Sequence, residues 1–125
     1  MTGVQTCALP ISEEQKRHYL GLAAKGRTLT SVAITEAGTG SDVSSMKTRA
    51  VKDGDSWVLN GGKIYITNGP VADVLLVYAK TNQAKGAHGI SAFIVEKDFP
   101  GFRVAQKLEK MGYRGSQTAE LVFED

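Results

Sequence analysis

After residue 28 the chain alternates apolar or β-branched positions with polar ones, in short runs broken by turn residues. Residues 29–35, 45–52, 56–59, 63–67, 74–80, 90–95, 102–107 and 120–123 each read as a strand. Asp53-Gly54 and Asn60-Gly61 predict type I′ hairpin turns, whose two central residues both need positive φ, and Asn68-Gly69-Pro70 closes a third run. About eight short strands at this spacing predict a mainly β fold of two packed antiparallel sheets, a sandwich or barrel. Residues 82–89 are polar and read as a loop, and no internal repeat or domain boundary stands out.

Ahead of the strands the period changes to that of a helix. Ser12 and Gln15 occupy capping-box positions, and Glu13 and Glu14 sit where carboxylates suit the helix dipole. Tyr19, Leu20, Ala23 and Ala24 are expected to share a face, with Gly26 as the stop. A helix this short is expected to be the end of a larger helical unit upstream. The last strand, ending at Phe123, has nothing after it to cover its edge, which reads as a cut.

Composition narrows the classes of function. Fifteen Lys and Arg against thirteen Asp and Glu give +2, scattered without a basic block, so nucleic acid is not an expected partner. No apolar run is long enough to span a membrane, and none is expected to. The single cysteine, Cys7, excludes an internal disulfide and a cysteine-cluster metal site. It lies in MTGVQTCALPI, residues 1–11, which lack the basic start and apolar core of a signal peptide. That stretch resembles a translated sequencing adapter, so residues 1–11 are taken as a non-native extension and Cys7 is not a nucleophile candidate.

Candidate chemistry is concentrated in two places. In TEAGTGSD, residues 35–42, glycines let backbone N–H groups converge while Thr35, Thr39 and Ser41 add hydroxyls, a nest suited to phosphate oxygens or a flavin edge. The loop is neither a Walker loop nor a dinucleotide fingerprint, and a hydrated connection is the plainer reading of it alone. In GGKIYITNGP, residues 61–70, alternation puts Tyr65 and Thr67 on one face and Ile64 and Ile66 on the other. A Thr hydroxyl beside an aromatic ring suits the edge of a planar cofactor, but ordinary strand patterning is the plainer reading of the alternation alone. His18 and His88 have no second ligand at metal spacing and are expected to face solvent. Glu36 and Asp42 form either an acid–base pair or local turn hydrogen bonds. Arg114-Gly115-Ser116 reads as an anion-binding turn or a solvated hairpin end.

Five stretches in order, EEQKRHYL, ITEAGTGSDVSSMKTRA, LNGGKIYITNG, GISAFIVEKDFPGF and KLEKMGYRGSQTAELVFED, resemble the acyl-CoA dehydrogenase family over residues 12–125. The isovaleryl-CoA, short branched-chain branch is the nearest likeness. The resemblance implies an FAD-dependent enzyme that removes an α-proton and a β-hydride from an acyl-CoA thioester. Residues 12–26 would end an upstream helical domain, and residues 27–125 would form the β middle domain. It implies that Val32, Ile34, Thr35 and Gly40 contact the flavin, and that Ser41 faces the FAD pyrophosphate and the CoA arm of the substrate. Thr67 would approach flavin N5, with Tyr65 and Ile66 lining the ring. The family usually carries Trp at the position of Tyr65 and often proline at that of Ala37. The catalytic glutamate belongs to a downstream helical domain, so no catalytic residue is assigned here and the chain alone is expected to be inactive. The resemblance further implies an electron-transfer flavoprotein as acceptor, a homotetramer, and a cytoplasmic location in bacteria or the mitochondrial matrix in eukaryotes. An acyl-CoA oxidase or flavin monooxygenase of the same fold, and a β-sandwich binding module without redox chemistry, are the competing readings.

Overall fold

The computed structural model describes residues 5–7 and 12–125; the reading of residues 1–11 as an extension otherwise lies outside the described residues. The strands are β1 (Gln5–Cys7), β2 (Thr30–Ala33), β3 (Arg49–Asp53), β4 (Ser56–Thr67), β5 (Val74–Lys80), β6 (Ile90–Glu96), β7 (Phe102–Lys107) and β8 (Thr118–Phe123). They form one curled eight-stranded sheet in the order β1-β6-β5-β3-β4-β8-β7, with β2 also paired to β5. The mainly β expectation is met, and the two sheets are two parts of one surface.

Strand β5 organises the surface. One edge pairs with β6 along its whole length, antiparallel from Val74↔Glu96 to Lys80↔Ile90. Its other edge is shared: β2 runs parallel to it from Thr30↔Val74 to Ala33↔Val77, and β3 meets it at Arg49↔Lys80. The chain therefore leaves this edge after Ala33 and returns to it at Arg49, and residues 34–48 form the loop between them. The core lies inside the curl. Leu75, Val77 and Ala79 of β5 and Ala119, Leu121 and Phe123 of β8 point into it, with Phe93 and Val95 of β6. Period-two patterning places every second side chain there, as the sequence suggests.

Strand β4 departs from the sequence reading. Asp53 pairs with Ser56 across a two-residue turn, but only Gly54 (φ +57) has positive φ, the pattern of a type II′ rather than a type I′ turn. At Asn60-Gly61 there is no turn. The strand runs on for twelve residues, pairing with β3 as far as Asn60 and with β8 from Gly61. Gly61 is there for close approach: at φ +149, a Cβ would lie 2.5 Å from Thr48 Oγ1 and 2.7 Å from Thr48 Cα. A glycine inside a strand pattern marks such a contact as often as a turn.

Helix α1 covers residues 13–24, its middle turn Lys16–Leu20 being π-helical. Its capping box forms as expected, Gln15 N–H donating to Ser12 Oγ and Ser12 N–H to Gln15 Oε1, both at 3.1 Å. Gly26 (φ +64) ends it. The shared face differs: Tyr19 and Ala23 are half-buried with Leu22, whereas Leu20 and Ala24 are exposed. The π turn inserts extra residues and shifts the phase. Tyr19 Oη donates to Glu96 Oε1 at 2.8 Å, joining the helix to β6.

Candidate functional site

Two stretches thirty residues apart meet beside the mouth of the loop. Ser31 Oγ donates to the Thr67 carbonyl at 2.6 Å, and Ile64 N–H donates to the Thr35 carbonyl at 2.9 Å. These links lay β2 and its extension along the second half of β4. Ser31, Ala33 and Ile66 are buried, while Val32 (53% exposed), Tyr65 (66% exposed) and Thr67 face outward. Ile34 and Thr35 are half-buried between them.

The outward aim of Tyr65 has a backbone cause. The pairing of β4 with β8 slips between Lys63 and Ile66, a bulge, and Tyr65 takes φ +60 within it. A bulky residue in the left-handed region is strained, and strain of this kind concentrates where a surface is used. The bulge also reverses the phase of the strand, so Ile66 enters the core at 3% exposure. Of Ile66, only backbone atoms remain to line a ring.

The loop is more selective than its sequence suggests. Glu36 and Thr39 exchange backbone bonds of 3.0 and 3.1 Å around Ala37-Gly38, a tight turn. Thr39 is thereby turned inward; its N–H is committed, and its hydroxyl is buried without a hydrogen-bond partner among the described residues. Thr39 accordingly drops out of the set of outward donors. Gly38, Gly40 and Ser41 stay exposed, with open space where Cβ atoms would stand at both glycines. Asp42 accepts from the Ser44 and Ser45 hydroxyls, which hold its carboxyl below the ordinary range. These bonds also wind Val43–Ser45 into a 3-10 turn, so β3 begins at Arg49 rather than residue 45. Of the two readings of Glu36 and Asp42, local turn bonding holds for Asp42, and Glu36 is engaged inward.

Lys63 is the residue that sequence reasoning missed. Its side chain is fully shielded, and Nζ donates to Glu36 Oε1 at 2.8 Å and to the Ile34 carbonyl at 2.9 Å. The other Glu36 contacts are the N–H groups of Lys47 (2.6 Å) and Thr48 (3.0 Å). Burial raises the Glu36 carboxyl, but the bonds from Lys63, Thr48 and Lys47 outweigh it and leave it below the ordinary value. Burial pulls the Lys63 ammonium below its ordinary value, an effect that Glu36 partly offsets. The signal was present: Lys63 shares parity with inward Leu59, provided that no turn intervenes at Gly61.

His18 and His88 are exposed, and no group of three metal-ligating side chains occurs among the described residues. The Arg114-Gly115-Ser116 turn closes on itself, Arg114 Nε donating to the Lys110 carbonyl at 3.1 Å and Lys110 Nζ to the Ser116 carbonyl at 2.6 Å.

A flavin offers one flat apolar face and a polar edge, and the residues present fit such a group. Val32 and Tyr65 supply exposed apolar surface, Thr67 and Ser41 supply exposed hydroxyls, and Gly40 leaves its backbone approachable.

The fold and this patch define a class, a curled β domain with an exposed apolar and hydroxyl-bearing patch where β2 and β4 meet. A family model described as the acyl-CoA dehydrogenase middle domain matches residues 31–125, and the chain belongs to that family. It is 53% identical over 116 residues to the mitochondrial isovaleryl-CoA dehydrogenase of Pongo abelii, covering 91% of this chain and 27% of that protein. A chain in the structure of the electron transferring flavoprotein of Acidaminococcus fermentans superposes with a TM-score of 0.90 at 50% identity, covering 91% of this chain and 30% of that one. Butyryl-CoA dehydrogenase from Megasphaera elsdenii superposes with a TM-score of 0.88 at 46% identity, with the same coverage of 91% and 30%. The chain thus spans less than a third of the length of the relatives it matches.

Proposed function

We propose that this chain is the FAD-binding middle domain of an acyl-CoA dehydrogenase that removes hydrogen across the α and β carbons of an acyl-CoA thioester. The observation that carries the reading is the bonding of the β2 end to the second half of β4, which brings the outward Val32 and the half-buried Thr35 alongside Tyr65 and Thr67, with Gly40 and Ser41 exposed in the loop that follows. When bound, FAD supplies the two-electron acceptor for the substrate's β-hydride. Val32 and Tyr65 pack against the ring and keep water from it. Thr67 would direct its hydroxyl, a preorganised donor, toward the edge of the ring. Gly40 and Ser41 hold the phosphate-bearing side, Ser41 also reaching the CoA arm.

The α-proton needs a base, and Glu36 does not serve, since its carboxylate is committed to Lys63 and two backbone N–H groups. We assign the base to a glutamate in a helical domain following residue 125. Residues 12–26 are then the end of an upstream helical domain, and residues 27–125 the middle domain. The whole enzyme is a homotetramer passing electrons to an electron-transfer flavoprotein, in bacterial cytoplasm or the mitochondrial matrix. Among the described residues no helix is long and apolar enough to cross a membrane.

Titration of FAD with the chain tests the reading. Saturable quenching of flavin fluorescence, weakened by Thr67→Val and by Gly40→Val, is the expected result. Quenching that neither substitution alters would remove the assigned wall.

A further inference from the structure

Residues 34–48 have little apolar material to hold them. Within this loop only Glu36, Thr39, Met46 and Thr48 are buried, and three of these are polar. What fixes the loop is a set of directional bonds radiating from β4. The Ile34 carbonyl and the Glu36 carboxylate both accept from Lys63 Nζ, and the Thr35 carbonyl between them accepts from Ile64 N–H. The same carboxylate takes the N–H groups of Lys47 and Thr48, where the loop returns to the sheet. Three segments of chain thus converge on one shielded carboxylate.

We infer that the Glu36–Lys63 pair is a positioning device that clamps both ends of the loop onto β4 and so sets where Thr35, Gly40 and Ser41 stand relative to Tyr65 and Thr67. A buried ion pair is a poor choice for stability alone, because desolvation offsets most of its attraction and apolar replacements serve as well. Its geometry does what apolar packing does not: it fixes one carboxylate between three donors in defined directions. Neither residue reaches the outward patch, so both act through the loop. The inference rests on the flavin reading for its consequence, but the clamp itself can be measured without flavin.

The test compares the 125-residue chain with its Glu36→Gln/Lys63→Met and Glu36→Asp variants by amide hydrogen exchange and by FAD titration. The double variant leaves no orphan charge, and Glu36→Asp keeps the charge but withdraws it from Lys63. In both, amides of residues 37–48 should exchange at least about tenfold faster while those of β5 and β6 keep their rates. FAD should bind at least about tenfold more weakly in both. Unchanged loop exchange, or loop and strand amides accelerating together, overturns the clamp. So does failure of both variants to fold, which would make the pair an element of general stability. A wild-type chain that binds no FAD would sink the flavin reading, and the exchange measurements would still decide the clamp.

Discussion

Lys63 Nζ and the Glu36 carboxylate lie 2.8 Å apart with side chains 0% and 9% exposed, joining the strand to the loop beneath the outward patch. Removing one partner strands the other. Lys63→Met should destabilise the chain by about 3–5 kcal/mol, and adding Glu36→Gln should recover most of that loss. Urea unfolding of the two singles and the double, read as a cycle, measures the coupling.

The same pair predicts opposite pH dependences at the two ends of the scale. Glu36 has a folded pKa below its ordinary value of 4.5, so its contribution is full above that pH and is lost as pH falls through the folded value. Glu36→Gln should flatten the acid limb of stability against pH. Lys63 has a folded pKa below 10.5, so protonated Lys63 opposes folding, and stability from this group rises with pH between its folded value and 10.5. Lys63→Met should abolish that alkaline gain. Unfolding midpoints across the two ranges check both signs.

Gly61 should tolerate no side chain. Its Cβ would fall within 2.8 Å of three Thr48 atoms, one of them backbone, so Gly61→Ala should cost about 3 kcal/mol or more. At Gly54, also at positive φ but with open space around it, the same change should cost only about 1 kcal/mol of backbone strain. Equal costs in denaturant unfolding would contradict the close-approach account.

Tyr65 pairs strain with exposure. Replacing it by glycine removes the left-handed penalty without opening a cavity, so Tyr65→Gly should stabilise the chain by about 1 kcal/mol. The same variant should weaken FAD binding, because the exposed ring proposed to face the flavin is gone. A thermal melt and a flavin titration on one sample separate the two effects.

Thr67→Val tests the donor role proposed for Thr67 at the flavin's edge. Thr67 is exposed, and its structural bond uses its carbonyl rather than its hydroxyl, so the fold should be kept. In the full-length enzyme, flavin reduction by acyl-CoA should slow by about tenfold or more. Stopped-flow absorbance of the flavin band reads this directly, and an unchanged rate removes the role.

The sequence by itself determined the helix cap at Ser12 and Gln15, the stop at Gly26 and most strand positions. Each is written in local chemistry: a side chain reaching its own backbone, a period of two, a glycine at positive φ. The family likeness lies in the same short-range text. Tertiary structure decided what lies between those elements. Asn60-Gly61 has the residues of a turn, yet it continues β4, because Thr48, thirteen residues upstream, occupies the space a Cβ would need. That continuity carries the inward phase from Leu59 to Lys63, and a bulge then sends Tyr65 out and Ile66 in. Thr39, a donor on paper, is turned inside by a two-residue turn. Phase, bulge and ion pair depend on which distant segment fills each neighbouring space, and local periodicity carries no record of that.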